Sequence, residues 1–524
     1  CLNSLLNIFI VHTTNHFSKK ANLFLLSAFI ILVLLNIINR IIVLEKFSFL
    51  YSDADQVMMW IGSYDFHKLE FYEPAYYGQN YNTMLEALLA APFFGYASPA
   101  YILPIVSSIL AFFPYLVISI VYYRKQLKVQ ALFALAIPLI LPLEYDFITS
   151  MPRGFVTGLF IAVFACMLVY YPNSKWRFFL FSFLSLTALT LNPNAVLLLL
   201  PCGLFLLSEN YKNKIFYIHS IAGALVGAIY PFYMSYFYTH HPNYVVHELW
   251  HLRFSLDNLL VGLSDLNIFF GHVTPLFWNH YIFLILLFII IPIIFKIQKQ
   301  QLWFNISVIT IIFTMLTFGI GKIYDGDSSI FLPHSRMYLA IPFMIILWVS
   351  FMRIKNWKVP AFIIVGIACC SFVHRTTIIE DVVERAVIPS KYPRLTVYNV
   401  EASTTDCKRI YELDQKYNVD RIIVASHWAD KFLSYACPSC NTDFPLTLTP
   451  SNDRRTWRLL QEKDKVYKTI LLIDESDKIE KEALAPGKKA VELQSLGNHT
   501  FLLQNNSLTI LQLIKRLNIE LRHI

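Results

Sequence analysis

Tyr51-Ser52-Asp53-Ala54-Asp55-Gln56 follows an apolar run at 21–44, and the next long apolar run begins only at residue 100. Two carboxylates stand where a chain leaves hydrocarbon. Charge beside a membrane is expensive and is retained mainly where it serves a function. A plainer role competes: Ser52 or Asp53 caps an interfacial helix whose first turn favours negative charge.

Outward from this stretch, apolar segments recur at 21–44, 100–123, 129–149, 154–171, 177–191, 193–208, 215–238, 281–296, 302–320, 338–352 and 359–374. The 524 residues are 56% hydrophobic and 15% charged, with 43 Phe and 30 Tyr. This predicts a polytopic, mainly α membrane protein of about eleven spans, several of them short of the ~20 residues a membrane helix needs. The chain starts at Cys1, which reads as a truncated start. The run 21–44 is too long for a signal-peptide core and reads as a retained anchor.

A net charge of +8 in a soluble protein would suggest nucleic acid. Here the basic residues fall in short loops instead: Lys19-Lys20, Arg124-Lys125 with Lys128, Lys175 with Arg177, Lys212 with Lys214, Lys296 with Lys299, and Arg353, Lys355 and Lys358. These connections alternate along the chain, which predicts one cytoplasmic face, a cytoplasmic N-terminus and no nucleic-acid partner. The opposite face then carries the loop 45–99, the turn at 146–153, the loops 239–280 and 321–337, and the tail.

The tail changes character near residue 376, so the expected division is a membrane domain at 1–375 and an extracytoplasmic α/β domain at 376–524. Cys407–Tyr417 has the pattern of an amphipathic helix. Arg421-Ile422-Ile423-Val424-Ala425 and 468–473 read as strands, and 507–521 as a terminal helix. Cys407 and Cys437-Pro438-Ser439-Cys440 lie in this domain, where a disulfide is the default. Zinc is disfavoured because no second Cys/His pair follows at metal-site spacing. Cys166, Cys202, Cys369 and Cys370 fall in spans and read as packing residues.

The loop 45–99 continues with Asp65, His67, Glu70, Glu73, Tyr76-Tyr77-Gly78-Gln79-Asn80-Tyr81 and Leu85-Glu86-Ala87. Carboxylates and amides suit sugar hydroxyls, and aromatic rings suit sugar faces. Glu73, Tyr77, Gln79, Asn80, Tyr81 and Glu86 are therefore the expected substrate contacts; an interfacial helix with an aromatic belt has a similar composition. On the same face lie Arg153, Lys322, His334 and Arg336, with Glu144 and Asp146 placed to pair with Arg153 or to join the first-loop acids on a divalent ion.

Ser52-Asp53-Ala54-Asp55, Tyr77-Gly78-Gln79-Asn80-Tyr81 and Leu85-Glu86-Ala87-Leu88-Leu89-Ala90-Ala91-Pro92 resemble the first outer loop of bacterial GT-C-type membrane glycosyltransferases, relatives of the dolichyl-phosphate-mannose-protein mannosyltransferases. The resemblance implies transfer of a sugar from a polyprenyl-phosphate donor to a glycan, lipid or protein acceptor, with inversion, at a bacterial plasma membrane. It implies that Asp53 deprotonates the acceptor and that Arg336 sits near the lipid phosphate, with Lys322, His334 and Arg153 as further cations. Asp55 stands where many relatives have an acidic neighbour directly adjacent, so the division of roles between the two aspartates stays open. Mg²⁺ or Mn²⁺ on Asp53 and Asp55, or no ion, are equally compatible with the resemblance.

A rival signal is His247-Glu248-Leu249-Trp250-His251, which matches His-Glu-x-x-His and would place His247 and His251 on one helix face as zinc ligands with Glu248 as base. A third ligand at metzincin spacing is missing. A transporter or flippase for a lipid-linked sugar is the other alternative, and predicts ionisable residues inside the spans.

Overall fold

The structure is a computed structural model that describes residues 19–244, 253–321, 338–354, 356–387, 398–425, 431–441, 443–450, 455–474 and 492–521. Each of the eleven expected apolar segments contains helix. Among the described residues six helices are long and apolar enough to cross a membrane: Lys19–Ser48, Pro99–Arg124, Pro193–Asn210, Lys214–His240, Gln301–Gly319 and Lys358–Val387. Thr157–Tyr170, Tyr281–Ile297 and Ile341–Phe351 are apolar but shorter. Fewer helices reach full length among the described residues than there are apolar segments, and a short helix buried in a bundle is as apolar as a spanning one. Ile341–Phe351 shows this, with Ile341 through Trp348 buried on all sides.

The expected span 129–149 is a broken one. Lys128–Ile140 and Leu143–Ser150 meet at 89°, and the break falls at Leu141-Pro142. Proline pushes the residue before it out of the helical region and has no N–H to donate, and Leu141 is extended. Carbonyls exposed by the break need donors. Arg375, from the Lys358–Val387 helix, supplies them: its Nη1 donates to the Pro138 carbonyl at 3.2 Å and to the Leu141 carbonyl.

Arg375 also pairs through Nη2 with Asp146, whose other oxygen lies 3.0 Å from Arg40 Nη2 in the first helix. Asn39 donates to Asp146 at 2.8 Å and accepts from Arg375 Nε at 3.0 Å, and Arg40 Nη1 donates to Thr149 at 3.0 Å. Asp146 therefore does not pair with Arg153, as its sequence position suggested. It braces the first helix, the broken span and the last membrane helix against one another. All three charged groups are buried, so the spans do hold ionisable residues, but these residues satisfy one another.

Where Lys175–Leu191 packs on Lys214–His240, Gly223 lets the backbones approach closely: a Cβ there would lie 2.1 Å from the Phe179 carbonyl oxygen. Gly223-Ala224-Leu225-Val226-Gly227 is the small-xxx-small spacing that such contacts use.

The last membrane helix continues through Val387, past the boundary expected at 375. Ile379, Val382 and Val383 pack on Val43, Phe47 and Phe147, so apolar burial carries the helix beyond its hydrophobic run. The C-terminal domain then begins with β2 (Tyr398–Asn399), which pairs antiparallel with β1 (Tyr51–Ser52). After the Val400–Tyr417 helix a five-stranded sheet forms from β3 (Arg421–Val424), β4 (Thr447–Leu448), β5 (Thr469–Ile473), β6 (Glu492–Ser495) and β7 (Thr500–Gln504), in the order β4-β3-β5-β7-β6. β3 is parallel to both neighbours, and β7 is antiparallel to both of its own. The terminal helix is shorter than its sequence pattern, Ile510–Arg516, and Thr509 with Gln512 closes its start as a capping box.

The disulfide joins Cys407 to Cys437, while Cys440 is free. It ties the Val400–Tyr417 helix to the Lys431–Cys440 helix, and both cysteines belong to the apolar cluster that contains Val57, Met58 and Ile61.

Asp146→Asn leaves two buried guanidiniums without a counter-charge. Breaking such a pair costs about 3 to 5 kcal/mol, so thermal unfolding of the variant in detergent is expected to begin well below that of the parent.

Candidate active site

After the first helix the chain makes a single π-type turn at Leu44–Ser48, and β1 follows. The β1–β2 pair fixes the backbone just before the aspartates, reinforced by the Val400 N–H on the Leu50 carbonyl at 2.9 Å. Asp53 is extended and caps the Ala54–His67 helix, its Oδ1 accepting the Gln56 N–H at 2.8 Å. The capping role is thus real, and it uses one carboxylate oxygen. The other, Oδ2, lies 3.0 Å from Arg153 Nη1. Arg153 Nη2 pairs with Asp55 Oδ2, so one guanidinium bridges both acids.

Side-chain exposure is 7% for Arg153, 10% for Asp53 and 27% for Asp55. The guanidinium lies over the Phe155 ring at 5.1 Å. Burial works to lower the Arg153 pKa, but the charges of Asp53 and then Asp55 outweigh it and raise it. The cation is secured by its partners rather than by solvent.

Arg153 sits on a turn that many groups hold. Gly154 has φ +74°, a left-handed conformation that suits glycine. Its N–H donates to Glu86 Oε2 at 2.6 Å. Its carbonyl accepts from Asn192 Nδ2 at 3.2 Å and Thr157 Oγ1 at 3.0 Å, and Asn194 Nδ2 holds the Phe155 carbonyl at 3.3 Å.

The expected substrate contacts separate in space. Tyr76, next to Tyr77, donates its hydroxyl to the Asp55 carbonyl, and the Gln79 N–H returns to the Tyr76 carbonyl at 2.9 Å. The 76–79 turn is thereby tied to the aspartates. Asn80 is exposed, and Gln79 and Tyr81 are partly so. Tyr77 is buried and donates to Asp65 at 2.9 Å. Glu73 accepts from Tyr238 at 2.9 Å and from Trp457 Nε1 at 3.4 Å. Glu86 is fully buried, with Ser107 donating to Oε1 at 3.1 Å.

Ser52 Oγ, Gln56 Nε2, Gln79 Oε1 and Thr83 Oγ1 are buried and have no hydrogen-bond partner among the described residues. Buried polar atoms are costly until a polar group meets them. All four belong to the stretch that carries Asp53 and Asp55.

Lys322, His334 and Arg336 lie outside the described residues, as do His247, Glu248 and His251. Tyr338 is described: it is buried among Phe269, Phe270 and Phe318, with its hydroxyl 2.9 Å from Thr317. Among the described residues no three His, Cys, Asp or Glu side chains converge as a metal-ligand set.

One group of residues was missed in the sequence. Arg458 approaches Asp65 at 3.5 Å, and Trp457 stacks on Tyr72 with ring centres 4.0 Å apart. Burial raises the Asp65 pKa against the opposing charges of Arg458 and Arg455. The dense run Arg454-Arg455-Thr456-Trp457-Arg458 was the available signal, but its partner lies nearly 400 residues earlier (393 for Asp65 and Arg458).

Burial pushes the Glu86 carboxyl up to about 7, against the lowering effect of its bonds from Gly154 and Ser107. A raised acid costs the native state when it ionises, so the stability present at pH 4 to 5 declines as pH rises through about 7. Glu86→Gln is expected to remove that part of the slope in unfolding midpoints measured across this range.

No protein-family model matches the sequence, and no curated protein matches it. Among solved structures, "Crystal Structure of ArnT from Cupriavidus metallidurans bound to Undecaprenyl phosphate" is similar over 91% of this chain and 98% of that one, at a TM-score of 0.54 and 11% identity. The chain is a multi-pass membrane protein that shares the fold of this ArnT structure.

Proposed function

We propose that this protein transfers a sugar from a polyprenyl-phosphate donor to an extracytoplasmic acceptor, with inversion at the anomeric carbon. The observation that carries the reading is the buried Asp53–Arg153–Asp55 bridge at the first membrane exit, in a stretch where Ser52 Oγ, Gln56 Nε2, Gln79 Oε1 and Thr83 Oγ1 have no hydrogen-bond partner among the described residues. The neighbouring fold, whose solved example holds undecaprenyl phosphate, supports the donor class; fold alone does not carry function. The loop charges support a cytoplasmic N-terminus in a bacterial inner membrane, with site and outer domain on the far side.

In the proposed step the acceptor oxygen attacks the anomeric carbon, the bond from that carbon to the phosphate oxygen breaks, and the acceptor proton passes to a carboxylate. Asp53 takes that proton. Each carboxylate oxygen has two lone pairs, so Oδ2 can serve Arg153 and still accept. The helix cap and the guanidinium hold this oxygen in one place, and fixed geometry is what a general base requires. Asp55 shares the guanidinium and presents the more exposed carboxylate to the acceptor side. The leaving phosphate keeps the electron pair and needs cationic donors of its own, which fits the basic residues of 322–336.

Asparagine caps helices as well as aspartate does, so Asp53→Asn is expected to insert normally and form the Cys407–Cys437 bridge. In proteoliposomes supplied with a polyprenyl-phosphate sugar, it is expected to lose transfer by about 10²- to 10⁴-fold, and Asp55→Asn by less. Transfer by Asp53→Asn at the parental rate would overturn the assignment.

A further inference from the structure

Glu86 is a carboxyl buried to 0% exposure with no ion-pair partner among the described residues. The groups that face it come from three sides. The Pro99–Arg124 helix offers Ser107, and the 151–157 turn offers the Gly154 N–H. The Ala54–His67 helix meets this segment through Gly62 against Met84. The charged residue beside Gly154 is Arg153, whose guanidinium is turned to Asp53 and Asp55. A buried carboxyl without a counter-charge is costly, and its hydrogen bonds are what make it tolerable.

One of those bonds reaches the turn that carries Arg153. Through the 2.6 Å bond from Gly154, the Glu86 side chain ties the Leu85–Ala90 helix to the Arg153–Gly154 peptide. A second approach lies alongside it, since a Cβ on Gly154 would sit 3.5 Å from the Thr83 carbonyl oxygen. The guanidinium that bridges the aspartates is anchored at its backbone by a residue that does not touch them.

We propose that Glu86 is a positioning residue: it holds the Arg153–Gly154 peptide so that the Arg153 guanidinium meets Asp53 and Asp55 in the reactive geometry. This rests on the glycosyltransferase reading above. It moves Glu86 from the substrate contacts to the support beneath the acidic pair. Displacements of about an ångström at such a site cost up to about a hundredfold in rate.

Two substitutions separate positioning from simple packing. Glu86→Leu keeps the approximate volume and removes the acceptor. Glu86→Gln keeps it: the amide oxygen accepts from Gly154 and the amide nitrogen donates to the Ser107 hydroxyl, which rotates to accept. In full-length protein in proteoliposomes, with a polyprenyl-phosphate sugar as donor, Glu86→Leu is expected to lower kcat by about ten- to a hundredfold while donor KM changes little. Glu86→Gln is expected to restore most of the rate. In an Arg153→Ala background Glu86→Leu is expected to add no further loss. A multiplicative loss in that background, or equal damage from Leu and Gln, overturns the proposal.

Should Glu86→Leu fail to insert, Glu86→Met replaces it as an apolar variant of similar volume without the acceptor. Parental kcat in that variant overturns the proposal. Asp53→Asn run in parallel tells the two failures apart. If it is inactive and Glu86 is neutral to substitution, only the positioning role falls; if it transfers normally, the glycosyltransferase reading falls first.

Discussion

A buried guanidinium has to be met by carboxylates, and in this protein that requirement is satisfied twice with opposite arithmetic. Arg153 is one cation between two acids, Asp53 and Asp55. Asp146 is one acid between two cations, Arg40 and Arg375. The second arrangement is enclosed and backed by amide and carbonyl groups, and it holds three membrane segments together. The first is partly open on the Asp55 side, where the carboxylate is 27% exposed. Similar chemistry yields a brace in one place and a candidate reaction centre in the other, and what differs is the access left to a ligand.

The C-terminal domain takes part in forming that centre. It grips the Ala54–His67 helix at its start through the β1–β2 pair, at its far end through Arg458 on Asp65, and along its side through the helix that carries Cys437. A capping aspartate is only as well placed as the helix it caps. The domain therefore contributes to the position of Asp53 through the helix that Asp53 caps.

Much of the site was legible one residue at a time. Asp53 and Asp55 stood out because charge at a membrane exit is rare, and Arg153 was recognisable as a cation on the same face. Their joining was not legible, because an arginine on that face reads equally well as a phosphate ligand, and Asp146 is closer to it in sequence than either acid that pairs with it. Glu86 looked like a sugar contact because polar residues in an aromatic loop resemble one whether they face a ligand or the protein.

The sequence by itself determined the membrane class, the eleven apolar segments, the change of character in the tail, and the acidic stretch after the first helix, because hydropathy and charge spacing are local properties of a chain. Tertiary structure alone decided which acid meets which arginine, which cysteine closes the bridge, which arginine meets the carbonyls freed at Pro142, and that the carboxyl of Glu86 is turned inward to Gly154. Each of these depends on groups that are far apart along the chain and meet only once the helices have packed, and the cost of burying a charge or a free carbonyl then selects the partner.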